Sequence, residues 1–531
     1  MKVLHEPTLA VVNGAVYTMD RSWPSAEAVL VRGERIIAVG STDEIRALAP
    51  QGTQEIDACG GAVLPGFDDA HLHFVSYGLS LQRLLLADAP NLETVQQRVR
   101  ERARIADQGW ILGRSWNHNT WPRPIMPSRY DLDGVASTTP VALTSKDGHA
   151  IWCNTAALRL AGIDQDTPDP SGGRILREDD GSPSGILCDA AIQLVQRVIP
   201  LPNEGDLARA ARVACQAALS LGVTSVQSCE GPDEYRALSR LERSGELGVR
   251  VWHMVPVENL GEALHVGLQT GQGSDRLRIG HVKMFADGAL GSATAEMLTP
   301  YEGDASNTGV AVSDSETLYE AALAAAQGGL TSAIHAIGDR ANRRVLDVYQ
   351  RLAQSQPQAQ HRHRIEHVQL IMPDDVARLA RLGVVASMQP IHCMHDMDMA
   401  DRQWGARSRQ AYVFRDLLDA RVPLAFGTDC PVESLEPLPG IYAAVTRQDV
   451  DGTPPDGWYP AQRLSLGEAL HAYTMGSAYA SYQEQVKGSI TPGKWADIIV
   501  LSEDVGAAPA AALLRAHVTT TIVAGQIAYQ G

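Results

Sequence analysis

The feature that most limits what this chain can fold into is a succession of short, apolar, β-branched runs separated by helical stretches. The runs are residues 62–74 (AVLPGFDDAHLHF), 223–228, 249–256, 279–288, 330–339, 363–369, 384–390 and 423–429. Helix-forming stretches such as SETLYEAALAAAQGG and PDDVARLARLG stand between most of them. Short apolar runs of this kind fit strands buried on both faces. Eight of them, alternating with helices, are the number that a closed parallel (β/α)8 barrel, a TIM barrel, requires. The chain has 531 residues, 44 % of them hydrophobic, enough for a large barrel with smaller attachments.

The rhythm is broken once. Residues 75–215, between the first and second strands, are far too many for an ordinary βα connection. An insertion after a barrel strand is expected over the C-terminal face, where barrel active sites form. The two ends of the chain differ again. LAVVNGAVYTM, AEAVLVRGERIIAVG and GTQEIDACGGAVLPG at the start, and GSITPGKWADIIVLSED and HVTTTIVAGQIAYQG at the end, are β-rich and punctuated by turn residues. The expected organisation is therefore an α/β chain in three parts. Residues 1–62 and 485–531 form a small discontinuous β-sandwich, and 63–484 form the barrel, which carries the insertion at about 75–215.

Charge and cysteine usage exclude several classes. With 45 basic against 62 acidic residues the formal charge is −17, a field that disfavours nucleic acid and anionic membranes. The seven cysteines (59, 153, 188, 215, 229, 393 and 430) form no C-x-x-C pair, and their odd number fits a reducing compartment. The first residues read as a strand in place of a signal peptide, and no run approaches a membrane span. A cytoplasmic protein that binds a small molecule is expected, and base rates favour a homo-oligomer, a dimer first.

The chemistry concentrates where the runs end. His71-Leu72-His73 closes the first, and period-2 alternation points both imidazoles to one side, so that two nitrogens can grip one ion. His335 ends LTSAIHAIGD, His367 ends HRIEHVQ and Asp429 ends PLAFGTD. Singly, each histidine reads as an ordinary core residue and the aspartate as a helix cap. Together they sit at one depth on different strands, as a metal site would. Lys283, in IGHVKMFADGALGS, would put an ammonium against that cationic cluster. The conflict vanishes if the amine takes up carbon dioxide as a carbamate able to bridge two ions, although an ordinary snorkelling lysine explains it equally well.

PGFDDAHLH, KMFADGALGS, HAIGDRA, RIEHVQ and GTDCPVE, in that order, resemble the amidohydrolase superfamily. More narrowly they resemble its amidohydrolase-3 branch, which includes N-substituted formamide deformylases. The likeness spans almost the whole chain, SKDGHAIWCNTAAL in the insertion included. It implies a binuclear centre of two divalent ions, zinc by default, with His71, His73 and Asp429 on one ion, His335 and His367 on the other, and carboxylated Lys283 bridging both. A metal-bridging hydroxide would attack an amide- or formamide-type C–N bond, with Asp429 taking its proton and passing it to the departing nitrogen. His149 would face the substrate carbonyl. The alternatives are a one-metal hydrolytic deaminase, a metal-dependent decarboxylase on the same fold, or a catalytically silent scaffold.

Some residues stay ambiguous. Asp287 reads equally as a partner that fixes a ligand imidazole and as an Asp-Gly turn. His392 and His395 follow the seventh strand on an expected loop, within reach of substrate or merely decorating it. Trp116, Trp121, Trp152 and Trp404 could line a pocket, though aromatics are more often core. His361 and His363 begin a strand and are not expected to be ligands.

Overall fold

The computed structural model describes residues 6–105, 109–146, 148–356 and 361–531. Residues 1–5, and Asp147 within the SKDGHAIWCN segment, lie outside them. Contact clustering divides the chain into one unit of residues 1–77 and 211–531 and a second of residues 78–210.

The first unit holds the eight-stranded parallel sheet in unbroken sequential order. Its strands are β1 (Phe67–Leu72), β2 (Val223–Ser228), β3 (Arg250–Pro256), β4 (Leu277–Phe285), β5 (Ser332–Ala336), β6 (Arg364–His367), β7 (Val385–Met388) and β8 (Leu424–Phe426). The sheet curls into a barrel as expected. Beyond β8 it meets β1, where the Asp429 N–H donates to the His71 carbonyl (2.7 Å) and the His73 N–H to the Cys430 carbonyl (2.7 Å). This approach depends on Gly427, where a Cβ would stand 2.5 Å from the His71 nitrogen. The covering helices follow their local signals. Asp314 caps the helix Ser315–Gln327 by accepting from the Thr317 N–H, and Gly383, left-handed at φ 64°, ends Pro373–Leu382.

The two chain ends form two sheets. One is four-stranded (Arg35–Gly40, Ala28–Arg32, Thr8–Val12 and Gln54–Asp57). The other is six-stranded and joins both termini (Gln526–Gln530, Val518–Val523, Ile498–Leu501, Ala62–Pro65, Ala15–Tyr17 and Ser25–Ala26). Val11, Val29 and Val31 of the first sheet share a buried core with Val63, Ile498, Val500 and Ile522 of the second, a sandwich core. The run 62–74 is thus two strands. Ala62–Pro65 pairs with Ile498–Leu501, and the barrel strand starts at Phe67. Unbroken hydrophobicity hid the break at Gly66, where a Cβ would meet Thr224 Oγ1 at 2.2 Å.

The second unit is a domain in its own right. It has a six-stranded mixed sheet (Gly173–Arg177, Pro183–Asp189, Ala150–Cys153, Val141–Ser145, Ile111–Trp116 and Leu84–Leu85) flanked by helices such as Leu92–Ile105. Its hydrophobic core contains Trp116, Trp121 and Trp152 together with Val95, Val99 and Ile111. Trp404 is likewise fully buried, at the end of the helix Pro390–Trp404. These four indoles are buried packing residues.

Candidate metal centre

The residues singled out at the strand ends converge. His71 Nε2 and His73 Nε2 each lie 3.5 Å from Asp429 Oδ1, and these three side chains could hold one ion between them. The His367 ring is 4.9 Å from that of His71 and 4.5 Å from that of His335, centroid to centroid. Lys283 is buried on β4, with Nζ 4.7 Å from the centre of the Phe285 ring, and its charge acts on His71, His335 and His367.

Each of four imidazoles is fixed by a hydrogen bond on one nitrogen, which leaves a lone pair on the other. His71 donates from Nδ1 to Glu366 Oε2 (2.6 Å), His73 from Nδ1 to the Cys229 carbonyl (2.9 Å), His335 from Nε2 to the Gly288 carbonyl (2.9 Å) and His367 from Nδ1 to Gln389 Oε1 (2.8 Å). Such a partner selects the ligating tautomer and aims the ring. Burial, and then the positive charge of Lys283 or of neighbouring imidazoles, holds His71, His335 and His367 below the ordinary imidazole range, His335 at about 3. They are neutral, as metal ligands must be. Burial alone would raise the Asp429 carboxyl, but His73, His71 and His367 outweigh it and hold Asp429 well below the usual carboxylate range. Its charge in turn raises His73, against the effect of burial. The neutral imidazoles of His71, His335 and His367, with His73 beside the ionised Asp429 carboxylate, are a donor set that fits a divalent ion. The buried His392 Nε2 and Gln389 Nε2, which have no hydrogen-bond partner, fit the presence of a further group.

Two of these residues sit in unusual backbone conformations. His367 (φ 77°) and Asp429 (φ 61°) are left-handed, a strained choice for residues with a Cβ and one that clusters at functional sites. At His367 the purpose is visible. Arg364 reaches Gln227, Ser387 and the Ala70 carbonyl across the barrel interior, and Glu366 shares that face. Strict alternation would then turn His367 outward. The left-handed turn brings its imidazole back to the rim.

The support beneath the site was not foreseen. Arg364 donates from Nε to Glu366 Oε1 (2.5 Å) and from Nη2 to Oε2 (3.0 Å), with both side chains fully buried. Glu366 is held well below the carboxylate range because Arg364 and His71 overcome the effect of burial. The signal lay in RIEH, where period 2 puts Arg364 and Glu366 side by side on a strand with no access to water. Asp287, which the sequence left open between an imidazole partner and an Asp-Gly turn, anchors neighbouring backbone. Its carboxylate accepts from the backbone N–H groups of Glu296, Ile337 and Gly338, and burial pushes its carboxyl up to about 7. His335 Nε2 is 3.6 Å from Asp287 and bonds the Gly288 carbonyl, so a backbone oxygen of the same segment fixes the imidazole.

The remaining histidines separate cleanly. His392 and His395 stand on the helix Pro390–Trp404, where a loop was expected. Pro390 at the first turn opens that helix, a role its fixed φ suits. His395 is half-exposed and pairs with Glu433 (2.9 Å), whereas His392 points Nε2 at Asp429 Oδ2 across 3.7 Å. His363 immediately precedes β6, bonded to Ser332 and stacked on Tyr349, and His361 lies beside it. His149 is an exposed residue of the second unit, with Nδ1 2.9 Å from Asp189 Oδ1.

The Amidohydrolase family profile matches residues 54–529. The chain belongs to this family. It is 34 % identical over 512 residues to Protein LONG AFTER FAR-RED 3 of Arabidopsis thaliana, across 93 % of this chain and 87 % of that protein. It is 29 % identical over 541 residues to N-substituted formamide deformylase of Arthrobacter pascens, across 98 % of each. In three dimensions it is similar to an uncharacterized metal-dependent hydrolase from Pyrococcus furiosus (TM-score 0.78, 29 % identity, 94 % of this chain and 100 % of that one). This amidohydrolase-family chain is accordingly a metal-dependent hydrolase of a family that acts on small substrates. No helix among the described residues is long and apolar enough to cross a membrane.

Proposed function

We propose that the chain hydrolyses the non-peptide C–N bond of an N-substituted amide or formamide at a centre for two divalent ions, zinc by default. The observation that carries this reading is the set of four imidazoles, each with one nitrogen tied back and the other open, around ionised Asp429. His71, His73 and Asp429 would hold one ion, and His335 and His367 the other. Lys283 would join them as a carbamate, formed when its neutral amine adds to carbon dioxide and releases a proton. When bound, such ions supply hydroxide at neutral pH and a Lewis acid for the acyl oxygen.

The protein supplies orientation and proton transfer. Asp429, ionised at rest, accepts the proton of the attacking water on a carboxylate oxygen and becomes neutral, then returns it to the departing nitrogen, which leaves as a neutral amine. The Arg364–Glu366 pair keeps His71 in one tautomer. For His149, oriented by Asp189, we propose a hydrogen bond to the substrate carbonyl on the strength of the family motif. A cytoplasmic, dimeric enzyme is part of the same proposal.

Elemental analysis and a panel of 4-nitroformanilide, 4-nitroacetanilide, cyclic amides and acylated amino acids test it. About two zinc equivalents per chain and cleavage of an open-chain amide are expected, with most activity and some of the metal lost in Lys283→Ala. A single tightly held ion with deaminase activity would overturn the two-ion reading, and full activity and metal content in Lys283→Ala would overturn the carbamate.

A further inference from the structure

His367 and His392 are neighbouring imidazoles, with ring centroids 6.2 Å apart and planes 26° from parallel. Each touches a glutamine, and the two glutamines present opposite ends of their amides. Gln389 turns Oε1 to His367, so Nδ1 carries the proton and Nε2 keeps its lone pair. Gln369 turns Nε2 to His392 Nδ1 (3.3 Å), and an amide NH2 can only donate. With the Gln369 amide in this orientation, which leaves its own Oε1 buried and without a partner, the His392 proton sits on Nε2.

That N–H is buried and has no acceptor. Asp429 Oδ2, at 3.7 Å, is beyond hydrogen-bonding reach. An unmet buried donor costs stability unless something arrives to accept from it. His392, His367 and Asp429 lie close enough together to serve as an ion site by distance alone. A nitrogen that carries hydrogen has no lone pair for an ion.

Resting on the reading above, we propose that His392 is a further catalytic residue, one that donates from Nε2 to the acyl oxygen of the substrate and does not ligate an ion. Gln369 is the positioning residue that sets its tautomer. The substrate class follows: an acyl compound whose carbonyl oxygen reaches the space between His392 and Asp429.

Acetohydroxamate, a small acyl compound with a carbonyl oxygen, is the probe, titrated calorimetrically into zinc-loaded protein alongside elemental analysis. His392→Ala should retain the wild-type zinc content and bind acetohydroxamate roughly 10- to 100-fold more weakly, the range for one hydrogen bond to a charged partner. His392→Gln, which keeps an NH2 donor, should recover much of the loss. Gln369→Glu, whose carboxylate would pull the proton to Nδ1, should weaken binding as His392→Ala does. Loss of a zinc equivalent in His392→Ala would make His392 a ligand and overturn the proposal, as would unchanged zinc and unchanged affinity. A wild-type chain that takes up no zinc would instead strike down the two-ion reading itself.

Discussion

The two halves of the centre are built from the same imidazoles on different foundations. Beneath His71 lies charge, the Glu366 carboxylate clamped by Arg364 inside the barrel. The hydrogen bonds beneath His335 and His367 go to neutral oxygens, the Gly288 carbonyl and the Gln389 amide, and the Asp287 carboxyl stands off at 3.6 Å from His335. A carboxylate behind an imidazole makes the distal nitrogen a stronger donor than an amide or carbonyl does. Only the first half also has the full charge of Asp429 within 3.5 Å of two of its imidazoles. The difference implies unequal affinities, with a tight ion at His71, His73 and Asp429 and a labile one at His335 and His367.

The predictions attack this inequality, beginning with the largest effect. Asp429→Asn removes the anion that both imidazoles of the first half face, and turnover of any substrate the panel identifies should fall by a factor on the order of 10²–10⁴. Retained turnover would deny Asp429 its role in proton transfer. Arg364→Leu strands the buried Glu366 carboxylate and should cost about 3–5 kcal/mol in denaturant unfolding. A smaller cost would mean that the hydrogen bond to His71 suffices to hold Glu366.

Glu366→Gln should weaken the tighter ion about 10- to 100-fold, whereas Gln389→Leu should affect only the other one and by less. Competition with a chelator reads both constants. If wild-type protein releases its two ions together, the halves are equivalent and the comparison collapses. The smallest effect is in pH. His335 is held at about 3 in the folded chain by burial first and Lys283 second, against an ordinary 6.5. Between those values the unfolded chain binds the proton that the folded one refuses, so metal-free protein loses stability as pH falls through that window. The contribution is at most about 1.4 kcal/mol per pH unit. Subtracting the pH profile of His335→Gln isolates it, since other groups cancel, and equal slopes would refute it.

Much of this was legible in the sequence, for reasons that particular residues make plain. Eight buried strands announce themselves because each must be apolar on both faces, and the helix Ser315–Gln327 because its cap and its closing Gly328 are local signals. His71, His73, His335, His367 and Asp429 were visible as polar residues at the ends of apolar runs. The seam at Gly66 was not visible, since Ala62–Pro65 and Phe67–Leu72 are equally apolar and only their partners differ. The independent sheet of residues 78–210 escaped notice because its strands are short and irregularly spaced.

The sequence by itself determined that a parallel barrel would form and which chemical groups its rim would carry, because periodicity and residue type are local properties of the chain. Only the tertiary structure decided which nitrogen of each imidazole is free. That choice belongs to Glu366, Gln389, Gln369 and the carbonyls of Cys229 and Gly288, brought beside the rings from other strands and loops. A proton's position on a ring depends on what the ring faces, and the faces are set only when the barrel closes.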